Sequence, residues 1–494
     1  MRAYCIAFVV ACVHDACALP RRTAALSPSD HLHEPESALS LAAAGHSASA
    51  RASDYWPCKN GNLNHTGATT SVAPSNLASP PSWRWISDYP GDVVRATPLV
   101  DASSNIYLAT VNSGRVLKFD ANGHELWRYS TVGRPFNNSC AAADPLDNDC
   151  ADPIISVPAL MGGHLFLVTK RGSVRSLDMM DGTERWRTET ADRTNGGGCY
   201  AVAAGFSTVI VATKGGGHAA TGAYSLHAFE PEHGTKLWQF DLPDEDQGAV
   251  YNVMISLLAS PSGNAFAVFC SAVGKVYKLD LLTGEAIWSV EGPTPGSFGT
   301  GGAVVGPDDT IYATSNLAAG NGTVSAYALE DGALRWRVDL GADMPAQVAP
   351  SVGRLAGPTS PLSVVVSAGT NPSPLGGAEP AKTLALDAAT GALVWQYDMP
   401  LWHGAAAGDG FPEQHGCAPD SSANNAIGGD GVTYVPHEDG RVYAIRDADG
   451  DGVISQGEVS SWGFGMTFQG SPAIAPGLLA VSPCDGLAAW HAHH

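Results

Sequence analysis

Residues Gly274 to Trp288 read GKVYKLDLLTGEAIW, and this stretch decides the fold. Gly274 opens a short strand, Val276-Tyr277-Lys278-Leu279, in which bulky and polar side chains mix. Thr283-Gly284 then supplies a turn, because glycine reaches positive φ at little steric cost. Ala286-Ile287-Trp288 reads as a second strand ending on a large aromatic. The pattern is that of a β-hairpin with a longer loop, which alone in water would be marginal.

The hairpin is not alone. Gly-x-x-x-Trp recurs at Gly123/Trp127, Gly182/Trp186, Gly234/Trp238, Gly284/Trp288, Gly332/Trp336 and Gly391/Trp395. Upstream, glycine, a short strand and an acid repeat as GRVLKFD (114–120), GSVRSLD (172–178) and GRVYAIRD (440–447). Successive tryptophans lie 59, 52, 50, 48 and 59 residues apart. A period near fifty, with turn signals and no helical periodicity, predicts a repeat array built as an all-β propeller. Trp85 and Trp462 extend the series at its two ends.

The termini set the blade count. After Trp462 come FQGSPAIA, GLLAVSP and DGLAAW, three strand-like pieces without a Trp-bearing outer strand of their own. Trp83-Arg84-Trp85 has that outer strand and no inner strands before it. Pairing the two predicts an eight-bladed β-propeller of four-stranded blades, closed by its N- and C-terminal strands, with no open edge to invite aggregation.

The repeat unit resembles that of the pyrroloquinoline-quinone (PQQ) type propellers, a family that includes quinoprotein alcohol dehydrogenases and a bacterial outer-membrane assembly scaffold. YWPCKNGNLNHTG, residues 55–67, is similar to the W-P…H-T-G segment that often precedes such propellers. The resemblance runs from about Trp56 to the C-terminus. It implies the fold, while activity depends on the site that each member carries.

Composition agrees with a turn-rich β protein, with 56 glycines and 33 prolines among 494 residues. A net charge of −21 without strong basic clusters argues against nucleic acid as a partner. Residues 1–18 read as a secretory signal, with Arg2, the apolar run Ala3 to Val13 and the small-x-small site Ala16-Cys17-Ala18. That run is too short to span a bilayer, and His14 stands where a lipoprotein signal would place leucine before Cys17. Residues 19–53, rich in Ala, Ser, Pro and His, read as a disordered leader, and 54–494 as the propeller. The expectation is a secreted protein with no membrane span.

Seven cysteines remain after cleavage: Cys58, Cys140, Cys150, Cys199, Cys270, Cys417 and Cys484. Cys140 and Cys150 are placed to close the acidic loop between them, and Cys270 reads as a buried free thiol. The other four allow up to two further disulfides. Asn64, Asn137 and Asn321 head glycosylation sequons, which matter only on a eukaryotic secretory route.

Two loops attract attention as sites. The long link 398–426 holds Trp402, His403, Asp409, Glu413, His415 and Asp420, a candidate ligand or metal pocket or simply a solvated polar loop. The terminal Trp490-His491-Ala492-His493-His494 is either a transition-metal site or a polar strand end. The seventh repeat is more specific. Where other blades make a tight turn, it has DADGDGVISQGE, residues 447–458, with every chemical position of an EF-hand calcium loop. Asp447, Asp449 and Asp451 stand at positions 1, 3 and 5, and Gly452 at 6 allows the sharp bend. Val453 offers its carbonyl, Ser455 its hydroxyl or a water, and Glu458 a bidentate carboxylate. Both flanks read as strands, so a structural calcium clip is expected rather than a helix-pair switch.

Two functions follow, of different class. One is a secreted calcium-binding propeller acting as a non-catalytic binding or scaffold module, with a protein or small-molecule ligand on one of its faces. The other, implied by the resemblance, is a PQQ-dependent alcohol dehydrogenase, with the quinone on the channel axis beside a second calcium. The alcohol-oxidising members usually carry adjacent cysteines, and this sequence has no Cys-Cys pair. No catalytic or cofactor-binding residue is assigned. A polysaccharide-cleaving propeller would need an acid/base pair that the sequence does not display.

Overall fold

The computed structural model describes residues 53–492 except 90, 132–151, 191–199, 215–223, 244–253, 272–273, 293–295, 318–319, 347, 372–376, 409–416 and 418–419. Eight four-stranded antiparallel sheets follow one another along the chain. Blade four shows the pattern: Ser256–Ala259, Ala265–Cys270, Lys275–Asp280 and Ala286–Glu291, ordered from axis to rim. The middle strands are covered on both faces and are almost wholly buried. The outermost strand alternates half-buried and exposed side chains, as a one-faced strand should. The second strand of the hairpin therefore runs three residues beyond Trp288. Among the described residues no helix is long and apolar enough to cross a membrane.

Blade eight is shared by the two ends of the described chain. Ala473–Ala475, Leu478–Val481 and Gly486–His491 take Trp83–Ile86 as their fourth strand, with Trp83 opposite Ala489 and Trp85 opposite Leu487. The expected closure is present.

The Gly-x-x-x-Trp signature joins one blade to the next. Trp127, Trp186, Trp238 and Trp336 each donate an indole N–H to a carbonyl in the following blade: Met179, Pro231, Leu281 and Ala388, at 2.7–3.2 Å. The ring then lies over that blade's turn glycine. A Cβ on Gly284 would sit 2.6 Å or less from Trp238, and the glycine holds φ +75°. Trp83, not Trp85, plays this part at the N-terminal end. Its Nε1 donates to Ala121 at 2.7 Å and its ring covers Gly123, while Trp85 packs on Phe119. The two are both on the inward face of one strand, where side chains repeat every second residue.

The segment Trp56–Thr69 crosses the channel. Trp56 exchanges backbone hydrogen bonds with Val100 in blade one, and Pro57 accepts from Leu160 in blade two. Leu63, Asn64, Thr66 and Gly67 accept from Leu257, Val305, Val352 and Ile427, on the innermost strands of blades four to seven. Leu63 also packs on Gly205 of blade three, and Asn60 Oδ1 lies 3.5 Å from Ser471 Oγ at the start of blade eight. One segment thus touches all eight blades. His65 is fully enclosed here, its ring nitrogens against the Lys59 and Ile255 carbonyls. Burial outweighs those carbonyls and pushes its pKa down to about 4.

Candidate metal centre

In blade seven the loop 447–458 joins Arg441–Ile445 to Val459–Gly463. One ligand oxygen from each of Asp447, Asp449 and Asp451 lies within 4.8 Å of the others. Backbone N–H groups hold these carboxylates in place. Gly450 and Gly452 donate to Asp447 at 2.8 and 3.1 Å, Asp451 to Asp449 at 3.2 Å, and Val453 to Asp451 at 2.8 Å. Glu458 closes the loop from its far end. It accepts from the Ala448 N–H at 2.6 Å and from the Ser455 N–H and hydroxyl at 2.8 and 2.9 Å. These donors hold its pKa down to about 2, so it is ionised throughout the physiological range. Val453 and Ser455 bracket the bend, both exposed, leading into a short 3-10 turn, Gln456–Glu458.

The loop is docked on its neighbour. Val453 pairs in parallel with Gln396 on the outer strand of blade six. Gly452 has φ +79°, and a Cβ there would sit 2.9 Å from the Val394 carbonyl. Ile454 turns inward onto the cluster that contains Trp395, Tyr397 and Tyr443. The loop thus fills the place that a tight turn and its glycine take in other blades.

The other candidates are dispersed. Trp402 donates its indole N–H to Ala405, and exposed His403 lies 3.0 Å from the Gly377 carbonyl. Asp420 accepts a 3.3 Å hydrogen bond from Asn371. Asp409, Glu413 and His415 lie outside the described residues, as do His493, His494, Asn137 and the Cys140–Cys150 pair. His491 is committed to the Ala121 carbonyl at 2.6 Å. Cys417 and Cys484 form a disulfide that ties the chain entering blade seven to blade eight, whereas Cys58 and Cys270 are buried free thiols. Asn64 lines a groove of about 860 Å³ beside the channel-crossing segment, along with Val352, Arg354, Pro358 and Ile427.

Sequence reasoning passed over the most unusual charge in the fold. Glu438, in the His437-Glu438-Asp439 link of blade seven, is fully buried. Burial, with Glu379 and Asp439 nearby, pushes its pKa up to about 9. In sequence Glu438-Asp439-Gly440 is an ordinary acidic turn and carries no signal of burial.

The family described as outer membrane protein assembly factor BamB matches residues 112–296 and 272–482, most of the propeller. The chain belongs to the BamB family. The BamB of Nitrosomonas eutropha is 28% identical over 142 residues, which make up 28% of this chain and 29% of that protein. The match thus spans less than a third of the relative's length. The BamB structure from Moraxella catarrhalis superposes with a TM-score of 0.53 at 17% identity, covering 83% of this chain and 98% of the other. A europium-containing methanol dehydrogenase gives 0.58 at 13% identity, covering 88% and 90%. At such identities these two likenesses show the shared propeller and nothing finer.

Proposed function

We propose that this BamB-family propeller is a secreted, calcium-binding module that binds or scaffolds a partner without catalysis. The observation that carries the reading is the loop 447–458, whose acidic side chains are already held by backbone donors in a cluster facing solvent. A cation there offsets the mutual repulsion of Asp447, Asp449 and Asp451 and is completed by Val453, Ser455 and Glu458. Only hard oxygens are on offer, which suits calcium better than a softer metal. The groove beside the channel-crossing segment supplies a place for a protein or small-molecule ligand, and assembly is the role printed for the family.

Calorimetric titration of calcium into the purified mature protein tests this reading. One site per chain is expected, lost in Asp447→Ala and Glu458→Gln. Binding unaffected by either substitution, or no binding at all, overturns it. N-terminal sequencing of protein recovered from the medium tests cleavage after Ala18.

The second reading is a PQQ-dependent dehydrogenase, favoured by the fold shared with a methanol dehydrogenase. Reconstitution with PQQ and calcium decides between them. A quinone absorbance that stays with the protein, with alcohol-dependent dye reduction, supports the enzyme.

A further inference from the structure

A pair of buried side chains with unpartnered polar atoms lies inside blade seven. The link His437-Glu438-Asp439-Gly440 is clamped by its backbone: Glu438 N–H donates to Ser421 at 3.0 Å and its carbonyl accepts from Ala407 at 2.9 Å. Both side chains at 437 and 438 are fully enclosed. Neither carboxyl oxygen of Glu438 has a hydrogen-bond partner, and neither has His437 Nε2. These unpartnered atoms face each other, Nε2 lying 3.9 Å from Glu438 Oε1. Buried polar groups left so destabilise the fold, and more when charged.

The far side of the imidazole is fixed. Nδ1 lies 3.2 Å from Asp439 Oδ1, nearer than the 3.4 Å to the Asp439 N–H. Asp439 is in turn held by the Tyr443 hydroxyl at 2.5 Å and the Arg441 N–H at 2.9 Å. The ring also stands edge-on to Tyr443. A proton on Nδ1, directed at a carboxylate, leaves the Nε2 lone pair pointing at Glu438. That carboxylate–histidine arrangement is the one by which proteins orient a metal-binding imidazole.

We propose that His437 Nε2 and the Glu438 carboxylate bind a transition-metal dication of the zinc class, with Glu379 as a further ligand. An imidazole beside carboxylates selects such an ion over calcium or magnesium. Closing the 3.9 Å gap by roughly half an ångström gives the spacing of two ligands about 2.0–2.1 Å from one tetrahedral ion. Glu379, 2% exposed on the adjoining link of blade six, pairs with Trp402 on the strand that leads into Ala407, the donor to the Glu438 carbonyl. Among the described residues only Asp447, Asp449 and Asp451 bring three ligand atoms within 4.8 Å, so Glu379 must turn toward the pair to complete the set. Full enclosure suits a bare ion and excludes an organic cation. The site does not depend on the calcium loop.

The test is zinc titration of the metal-stripped full chain with millimolar calcium present throughout. One zinc per chain is expected. His437→Gln and Glu438→Gln should each weaken it at least tenfold, and Asp439→Asn by about ten- to a hundredfold through loss of ring orientation. Removal of residues 493–494 should leave zinc affinity unchanged, as should Asp447→Ala, which acts on the calcium loop alone. Zinc affinity unchanged from the unaltered protein in His437→Gln or Glu438→Gln, loss of binding on removing the terminal histidines, or no zinc bound overturns the proposal. Should those variants fail to fold by circular dichroism, the unaltered protein loaded with cobalt decides. Visible d–d bands of a low-coordinate site that saturate at one equivalent support the proposal, and their absence overturns it.

Discussion

Trp238 Nε1 donates a 2.8 Å hydrogen bond to the carbonyl of Leu281, which belongs to the next blade. The two residues are 43 apart in sequence, and their bond makes this repeat a support for its neighbour. Trp238 is 8% exposed, whereas Trp402 is half-buried and its indole is bonded within its own loop. Trp238→Ala should cost about 3–5 kcal/mol, and Trp238→Phe, which keeps most of the packing, about 1 kcal/mol beyond its lost area. Trp402→Ala should lower the melting temperature much less. Equal losses in thermal denaturation would mean that the indoles do not carry the blade contacts.

His65 makes the channel-crossing segment sensitive to acid. Its pKa is about 4 in the folded protein and 6.5 for the free side chain. The unfolded chain therefore takes up the proton first as pH falls. Stability is fully present above pH 6.5 and is lost between 6.5 and 4, by on the order of 3 kcal/mol. Urea unfolding at pH 7 and pH 4.5 should show that difference, and His65→Gln should flatten it. An unchanged pH slope in the variant would assign the acid lability elsewhere.

Calcium should act locally. At millimolar concentration, an extracellular site with a dissociation constant of ~10⁻⁴–10⁻³ M stabilises by on the order of 1 kcal/mol. Hydrogen exchange with and without EGTA should change over 440–462 and over the Gln396 edge that Val453 pairs with. Protection that is indifferent to calcium in both places would remove the clip.

The disulfide between Cys417 and Cys484 closes a span of 67 residues. Loop-closure entropy assigns such a bridge about 4 kcal/mol. Reduction, or Cys484→Ser, should lower the melting temperature accordingly. Cys58→Ser and Cys270→Ser should leave the response to reductant unchanged, since both thiols are free and the bridge stays intact.

Six of the eight blades were legible because each has its own copy of a local signal, a turn glycine four residues before a tryptophan. The partner of each tryptophan was not, because Trp238 covers Gly284 rather than its own Gly234. Trp83 and Trp85 were indistinguishable in sequence, being two residues apart on the same side of one strand. The clustering of Asp447, Asp449 and Asp451 was readable, since these acids alternate within one short stretch of chain. Glu438 was not, because its burial depends on Ser421, Ala407 and Glu379 from other parts of the chain. A short acidic link viewed alone looks like a solvated turn.

The segment Trp56–Thr69 has a consequence for cooperativity. Repeat arrays whose units meet only their neighbours can fray from any weak unit, with stabilities that nearly add. Here a single strip of backbone is bonded to Val100, Leu160, Leu257, Val305, Val352 and Ile427 at once. Melting any one blade releases an anchor of that strip and weakens the other blades through it. The ring is therefore expected to unfold in one transition, with no stable intermediate that lacks a blade.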